Sequence, residues 1–488
     1  MQHEAARHLV VVLDGLRPDY VTPELMPNVV ALGRRGVVFA NHHAVFPTVT
    51  RVNAASMVTG VYPSGHGLMG NSIYFPEIDP RRFLDTGDHS NLIKVDAATH
   101  GELLTAPTLS EILRPSGKKV LAAGSGSTGA VYLLNHKWSG GAILHTTFAL
   151  PEALQRDAAR FGAAPPAATP NDARNRRAVD LFLELGLEKV DPAVTLLWIS
   201  DPDTTAHAHG VGHPLTIESL EHVDNEIKRL EDGLRLAGVF NSYNIWVTSD
   251  HGFSSYTAGP NVTALLEPFA GTLPDGTPRI VTGGGAVYVR DHDRDAIASI
   301  VKQLQRMAGV GAIFTPATEP GGLHGRERGT ISFEAIEWNH SRAADILFSP
   351  DWTDQKNAYG YAGTTATGGV AGHGSSSPYD IHNVLVAAGP DLKQGAEVTT
   401  PTGNVDFAPT ILHVLGVEIP TEMEGRVLHE ALQSGGSATP NVQPGEVTVT
   451  SADGSYTLTA QFSAVFIEGR QYRYLDSTKV ERRADKGR

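Results

Sequence analysis

The chain has 488 residues, 41% hydrophobic and 19% charged, enough apolar material to bury a large core, and a formal charge of −14. That acidic balance excludes the broad basic surface needed to grip a nucleic-acid polymer or an anionic membrane, and no stretch approaches the ~20 apolar residues of a membrane span. Cysteine is absent, which excludes disulfides, thiolate nucleophiles and Cys-ligated zinc, so any metal rests on His and carboxylate.

Residues 9–13, LVVVL, form a Val-rich apolar run ending at Asp14-Gly15. They predict a central strand of a parallel sheet, buried on both faces. The segment before it carries no cleavable leader, so the expectation is a cytoplasmic chain as it stands, or a periplasmic or secreted one if a leader has been removed. Helical spacing over 27–35 and an apolar start at 37–40 complete a βαβ unit. Next comes VFPTVTRVNAASMVTG at 45–60, which breaks at Pro47 and enters an Ala-rich helix with Thr50 at or just before its N-terminus. Free N–H groups and the helix dipole there stabilise an alkoxide or a phosphate oxygen. Thr50 thus reads either as a nucleophile or as a plain N-cap. The Gly-rich stretch 61–75 leaves the core as a loop, with Asn71 and Tyr74 as candidates for the site mouth.

A short helix is expected at 108–113 and a strand at 119–123. GSGSTGA at 124–130 reads as a flexible loop without the Lys or spacing of a P-loop. The Ala- and Pro-rich 151–175 reads as a surface excursion. Residues 194–200 form another apolar strand, ending in Asp201-Pro202-Asp203. An amphipathic helix follows at 217–236, with Ile217, Leu220, Val223, Ile227, Leu230 and Leu234 on one face. The strand at 244–248 ends in SDHG, which contains Asp250 and His251. Three apolar strands therefore end in Asp-containing turns, and in an open parallel sheet such ends share the edge where ligands bind.

From 259 to 360 the character shifts to a strand at 286–290, a helix at 293–307 and a strand at 346–349, an inserted α+β subdomain. His373 lies just beyond it, 382–388 returns to a core strand and 405–415 makes a terminal core helix. Past 433, period-two stretches at 447–450 and 456–462 suggest a small β appendage with a basic, frayed tail. The expected division is a catalytic domain over 1–435, with its insert at about 259–360, and a β-rich extension over 436–488.

Asp203 and His207 stand four residues apart, close enough to share an ion on a helical or tight turn, and carboxylate oxygen with imidazole nitrogen suits Zn²⁺, Mn²⁺ or Fe. Gly252 lets Asp250 and His251 both aim inward. For each His the plain alternative is a solvated or capping group, since the chain holds 21 of them.

Read together, LDGLRPDY at Asp14, FPTVTRVNAASMVTGVYPSGHG at Thr50, DPDTTAHAHG at Asp203, TSDHGF at Asp250, AGHG at His373 and VDFAPTILHVLG from Val405 resemble the alkaline phosphatase superfamily. Within it they are most similar to the nucleotide pyrophosphatase/phosphodiesterase group, in the family's order over most of residues 8–430. The resemblance implies an alkaline phosphatase-like α/β fold with a mostly parallel central sheet flanked by helices. It implies a hydrolase that cleaves phosphodiester or pyrophosphate-type bonds in a small phosphorylated substrate through a phosphothreonine intermediate. Two divalent ions are implied, usually zinc, with Mn²⁺ as the alternative. Asp203, His207 and His373 would hold one; Asp14, Asp250, His251 and the Thr50 oxygen would hold the other. Thr50 becomes the nucleophile, and Asn53, three residues on, the donor to a non-bridging phosphoryl oxygen. His66, His209 and His213 match no ligand position.

Around Thr50 the chain has Val49, Arg51, Val52 and Ala54 where nucleotide-cleaving members often carry Lys, Phe, Pro and His, so no base-stacking pair carries over. Two alternatives lie in the same superfamily, a phosphomonoesterase and a phosphonate hydrolase. From another class comes an inactive metal-stabilised binding protein, against which Thr50 and Asn53, retained beside the full ligand set, argue.

Overall fold

Five apolar residues in a row need cover on both faces, and the strand Arg7–Leu13 finds it at the middle of a nine-stranded sheet. The computed structural model describes residues 6–138, 140–436 and 440–483. Tyr243–Thr248 and Val194–Ile199 flank the central strand in parallel, and Val120–Gly124 and Ala142–His145 continue the sheet in parallel beyond Val194–Ile199. Leu385–Ala388 runs antiparallel between Tyr243–Thr248 and Val37–Phe39. The fold is a mostly parallel α/β sheet flanked by helices, as expected.

Alternation along the strands divides the core. Val10, Val12, Leu196 and Trp198 face the layer containing the helix Thr50–Thr59. Leu9, Val11, Leu197 and Ile199 face the helices Asp172–Asp180 and Pro214–Leu236. Each fully buried aliphatic side chain contributes about 1.5–3 kcal/mol, so cover on both faces pins the strand ends to one edge. Among the described residues no helix is long and apolar enough to cross a membrane.

Several local expectations need correction. The 124–130 segment is a loop only in part, because the Ser127 side chain caps a helix over Thr128–Leu133 by accepting from Ala130 N. The 151–175 segment is not all surface. It contains the helix Glu152–Ala158, and its end dives under the sheet edge, where Asn171 and Asn175 are buried. The sheet strand of the 382–388 segment is Leu385–Ala388, while His382–Asn383 pairs with His42–His43 in a separate small sheet.

Within the region expected as an insert, Ile280–Gly283, Ala286–Val289, Ile346–Pro350, Val310–Thr315 and Ile331–Ser332 form a five-stranded sheet in that spatial order, packed on the helix Arg294–Arg306. The C-terminal sheet has three antiparallel strands, Asn441–Thr450, Tyr456–Ile467 and Arg470–Arg482. Its third strand occupies sequence read as part of the basic tail; residues 484–488 of that tail lie outside the described residues. Val447, Tyr456, Leu458 and Phe462 join the same apolar cluster as Ile300, Val310 and Phe314, and Tyr456 Oη donates to Gly311 O at 2.8 Å.

Candidate active site

The ends of three neighbouring parallel strands deliver the acids. Asp14 follows Arg7–Leu13, Asp203 opens the helix Asp203–His209 beyond Val194–Ile199, and Asp250 and His251 follow Tyr243–Thr248. Gly15 sits between Asp14 and Asp203 at φ +70, where an added Cβ would lie 3.0 Å from both Asp203 Cβ and the Phe253 ring. Only glycine meets that combination of positive φ and close approach. Backbone and indole donors then lock the turn: Asp203 N donates to Asp14 O at 2.9 Å, Gly15 N to Asp250 Oδ1 at 3.1 Å and Trp198 Nε1 to Asp14 Oδ2 at 2.8 Å.

Three histidines face these acids in one manner. Nδ1 of His251 meets Gly252 O at 2.9 Å, Nδ1 of His373 meets Thr48 O at 2.8 Å, and Nδ1 of His207 meets Ala371 O at 3.0 Å. A carbonyl only accepts, so each Nδ1 carries the proton and each Nε2 turns a lone pair inward, the orientation of a metal-ligating imidazole. His251 Nε2 lies 2.9 Å from Asp250 Oδ2, 3.6 Å from Asp14 Oδ1 and 3.4 Å from Thr50 Oγ1. His207 and His373 place Nε2 at 3.2 and 3.4 Å from Asp203 Oδ2.

Acceptor faces acceptor throughout, and among the described residues no hydrogen-bond donor reaches the buried Asp14 Oδ1, Asp203 Oδ2 or Asp250 Oδ2. Such groups are costly unless a proton or a cation lies between them. The donor set fits divalent cations, and two groups have ligand atoms within 4.8 Å of one another: Asp14, Asp250 and His251, and Asp203, His251 and His373. His251 belongs to both, and His207 joins through Asp203.

The electrostatics carry the same imbalance. Burial, then Asp250 and Asp203, push the Asp14 carboxyl well above its usual range. Burial also opposes charge on Asp203, but His207, His373 and His251 outweigh it and hold that carboxyl low. Burial would lower His207 and His251; Asp203 and Asp250 respectively reverse that and raise them. His373 stays well below its ordinary value through burial and the neighbouring His251.

Thr50 is the first residue of its helix. Val49, in extended conformation at φ −125 and ψ 147, occupies the cap position and offers no side-chain hydrogen bond. Asn53 does not face the site, contrary to expectation. It is fully buried; its Nδ2 donates to Val45 O at 3.1 Å and Val49 O at 3.2 Å, and its Oδ1 accepts from Val45 N at 2.7 Å and Asn404 Nδ2 at 2.9 Å. No amide hydrogen is left for a ligand. Asn404 also donates to Asp250 O at 2.8 Å, so Asn53 ties the turn that leads into Thr50 to the turn that carries Asp250.

Asn71 lies at the mouth, where its Oδ1 accepts from Arg51 N at 2.9 Å and, among the described residues, its Nδ2 has no partner. Tyr74 packs instead between Phe83 and Tyr288. His66 is buried and bonded to Ser56 Oγ at 3.0 Å, and His209 stacks on His213 with ring centroids 5.1 Å apart. A supporting residue missed in the sequence is Asp201, which accepts from Asn171 N, Asn175 Nδ2 and Thr205 Oγ1 at 2.7, 2.8 and 2.7 Å. Its position two residues before Asp203 was the available signal.

A profile of the Type I phosphodiesterase / nucleotide pyrophosphatase family matches residues 8–370. Ectonucleotide pyrophosphatase/phosphodiesterase family member 3 of Mus musculus is 26% identical over 243 residues, 49% of this chain and 24% of that protein. Venom phosphodiesterase of Macrovipera lebetinus is 26% identical over 246 residues, 49% of this chain and 25% of that protein. The matched region thus spans about a quarter of the length of these curated relatives. Murine ectonucleotide pyrophosphatase/phosphodiesterase 5, in an inactive form complexed with AMP, superimposes with a TM-score of 0.61 at 16% identity, covering 88% of this chain and 100% of that one. The human counterpart gives 0.58 at 18% identity with the same coverage. These structures share the fold. Running from the first core strand to the border of the His373 turn, the profile match shows that the chain belongs to the type I phosphodiesterase / nucleotide pyrophosphatase family.

Proposed function

We propose that the chain is a phosphoric ester hydrolase that cleaves a phosphodiester or pyrophosphate-type bond in a small substrate, with Thr50 as nucleophile beside two divalent cations. The observation that carries this reading is the convergence of Thr50 Oγ1, inward-facing imidazole lone pairs and unpaired carboxylate oxygens on one sheet edge. Asp14, Asp250, His251 and Thr50 would hold one cation and Asp203, His207 and His373 the other; zinc suits the mixed donors, with manganese as the alternative. Bound there, the cations supply Lewis-acid stabilisation of charge on the reacting oxygens.

Thr50 Oγ1 gives up its hydroxyl proton and bonds phosphorus as the first ester oxygen departs with the electron pair of the broken P–O bond and takes up a proton, leaving a phosphothreonine. Water then bonds phosphorus through its oxygen as the P–Oγ1 bond breaks with its electron pair returning to Thr50 Oγ1, and the proton shed by the water restores the Thr50 hydroxyl, releasing the phosphoryl product. The helix N-terminus turns the free N–H of Thr50 toward the phosphoryl group. Asn71, rather than Asn53, supplies the side-chain donor to a non-bridging oxygen.

This division of labour separates two substitutions. Asn53→Ala is expected to destabilise the fold by about 1–3 kcal/mol, because Val45 N and Asn404 Nδ2 lose a buried acceptor. Asn71→Ala should reduce kcat roughly 10²- to 10³-fold with little change in thermal stability. Thermal melts beside steady-state rates check both; a large melting shift in Asn71→Ala with unchanged kcat would return Asn71 to a structural role.

A diester is the expected substrate, because a monoester brings a second negative charge and the 124–130 turn, joined to the end of the Val194–Ile199 strand through Ser125 and Ser200, offers no Lys or Arg to meet it. Arg51, next to Thr50 in the chain, is a rival cation: it reaches Asp85 Oδ1 only at 3.7 Å, and among the described residues its Nε is buried without a partner. Rates on an aryl phosphodiester, the matching monoester, a phosphonate and a sulfate ester test the assignment, with the diester expected to give the highest kcat/KM. If the monoester wins and Arg51→Ala abolishes its advantage, the diesterase reading fails.

A further inference from the structure

A cavity of about 370 Å³ opens beside the nucleophile turn. Pro47, Val49, Asn71 and His373 form its near wall, so whatever fills it is continuous with a group held at Thr50. The far wall comes from segments 256–262, 283–288, 338–350 and 366–368. The volume falls at the small end of the range for ligand pockets.

Beside its polar-tipped aromatics the cavity wall carries the uncharged polar side chains of Asn71, Ser72 and Thr367 and the imidazole of His373. Among the described residues no Lys, Arg, Asp or Glu lines it. Its polar-tipped aromatics spend their polar atoms on the backbone: Tyr256 Oη donates to His373 O at 3.3 Å, Tyr288 Oη to Arg342 O at 2.6 Å and Trp338 Nε1 to Met69 O at 3.1 Å. The rings therefore offer hydrocarbon to the cavity.

Glycines keep the space open. Gly284 and Gly285 form the two-residue turn between Ile280–Gly283 and Ala286–Val289, with φ of +57 and +82, the left-handed pair of a tight hairpin. A Cβ at Gly285 would fall 2.3 Å from Phe348 O, and one at Gly283 would fall 2.9 Å from the Phe83 ring. The hairpin tip is thus a thin wall of bare backbone.

We infer that this cavity binds an uncharged, ring-bearing apolar substituent of the phosphoester held at Thr50, one derived from a phenol or a hydrophobic alcohol. The inference rests on the hydrolase reading for the position of the phosphoryl group. An anionic polyphosphate tail is the wrong occupant, because it would be desolvated in a cavity whose described lining offers no Lys or Arg to pair with it.

The test compares methylphosphonate, phenylphosphonate and 4-carboxyphenylphosphonate, which share an anionic head, as ligands of the zinc-supplemented full chain in titration calorimetry. Phenylphosphonate is expected to bind roughly 10- to 100-fold tighter than methylphosphonate, the factor supplied by burying one ring-sized apolar group. The carboxyl derivative should lose most of that gain. Gly368 lines the cavity, has no positive φ, and an added Cβ there meets nothing within 4 Å. Gly368→Phe should therefore fill the space and erase the phenyl-to-methyl ratio. Should that variant fail to fold, Gly284→Asn narrows the mouth at an equally open position, using a residue that tolerates left-handed φ, and should lower the same ratio.

Equal affinity for the phenyl and methyl ligands, or tighter binding of the carboxyl derivative, overturns the inference. Ring preference without turnover of any diester would sink the hydrolase reading and leave the cavity assignment standing. Turnover without ring preference would do the reverse.

Discussion

Thr50→Ala is expected to reduce phosphodiester turnover roughly 10⁶-fold, the scale on which hydrolases lose rate when a hydroxyl nucleophile is removed, with little change in thermal stability. The small structural effect follows from position. Val49, not Thr50, occupies the helix cap, so the ~1 kcal/mol that a lost side-chain cap costs does not apply. Among the described residues the Thr50 hydroxyl bonds one side chain, His251 Nε2 at 3.4 Å, and the backbone of Thr50 is already helical. Thr50→Ser keeps the oxygen while freeing the side chain of its β-methyl, and should retain measurable activity. Rapid-quench burst kinetics, with mass measurement of the phosphorylated chain, distinguish the outcomes. Wild-type turnover in Thr50→Ala, without a phosphorylated intermediate in the parent, would transfer the attack to water.

The parts of the fold that the sequence makes legible are those where one local pattern has a single tertiary solution. An uninterrupted apolar run such as 9–13 has nowhere to sit but inside a sheet covered on both faces. Once three such runs end in acids, the shared edge brings Asp14, Asp203 and Asp250 together. Asn53 shows where the reasoning stops. Three residues after Thr50 it belongs to the same helical stretch, but which way the first turn faces is set by the packing of 45–49, whose Val45 N–H needed a buried acceptor. Asn71 supplies the free amide from a Gly-rich loop without periodicity, 20 residues beyond the Arg51 N–H that fixes it. The strand Arg470–Arg482 was hidden for a different reason. Its Arg and Lys residues resemble a solvated tail, and only pairing with Tyr456–Ile467 buries Tyr474 and Thr478. Non-local pairing of this kind leaves no trace in a short window.

Asp203→Ala is expected to lower the bound divalent metal from about two ions per chain to about one and to reduce kcat/KM roughly 10³-fold, corresponding to several kcal/mol of lost charge stabilisation. Asp203 is the hinge of its half of the site, since His207 and His373 both aim Nε2 at its Oδ2. Without that carboxylate the two imidazoles keep their Nδ1 bonds to Ala371 O and Thr48 O but lose the acid they share. The Asp14, Asp250 and His251 group does not depend on Asp203 for its internal contacts, so one ion should remain. The fold should survive, because the Asp203 side chain contacts the site rather than the apolar clusters on the two sheet faces, and its backbone N–H bond to Asp14 O is retained. Asp203→Asn separates charge from shape: it preserves the side-chain volume and should lose nearly as much metal and activity as alanine. Elemental analysis of metal-replete parent and variants, run beside kinetics, decides the matter. A parent holding one ion or none at full activity would defeat the two-cation reading. A variant that kept two ions while losing the rate would recast Asp203 as a residue acting on the substrate directly.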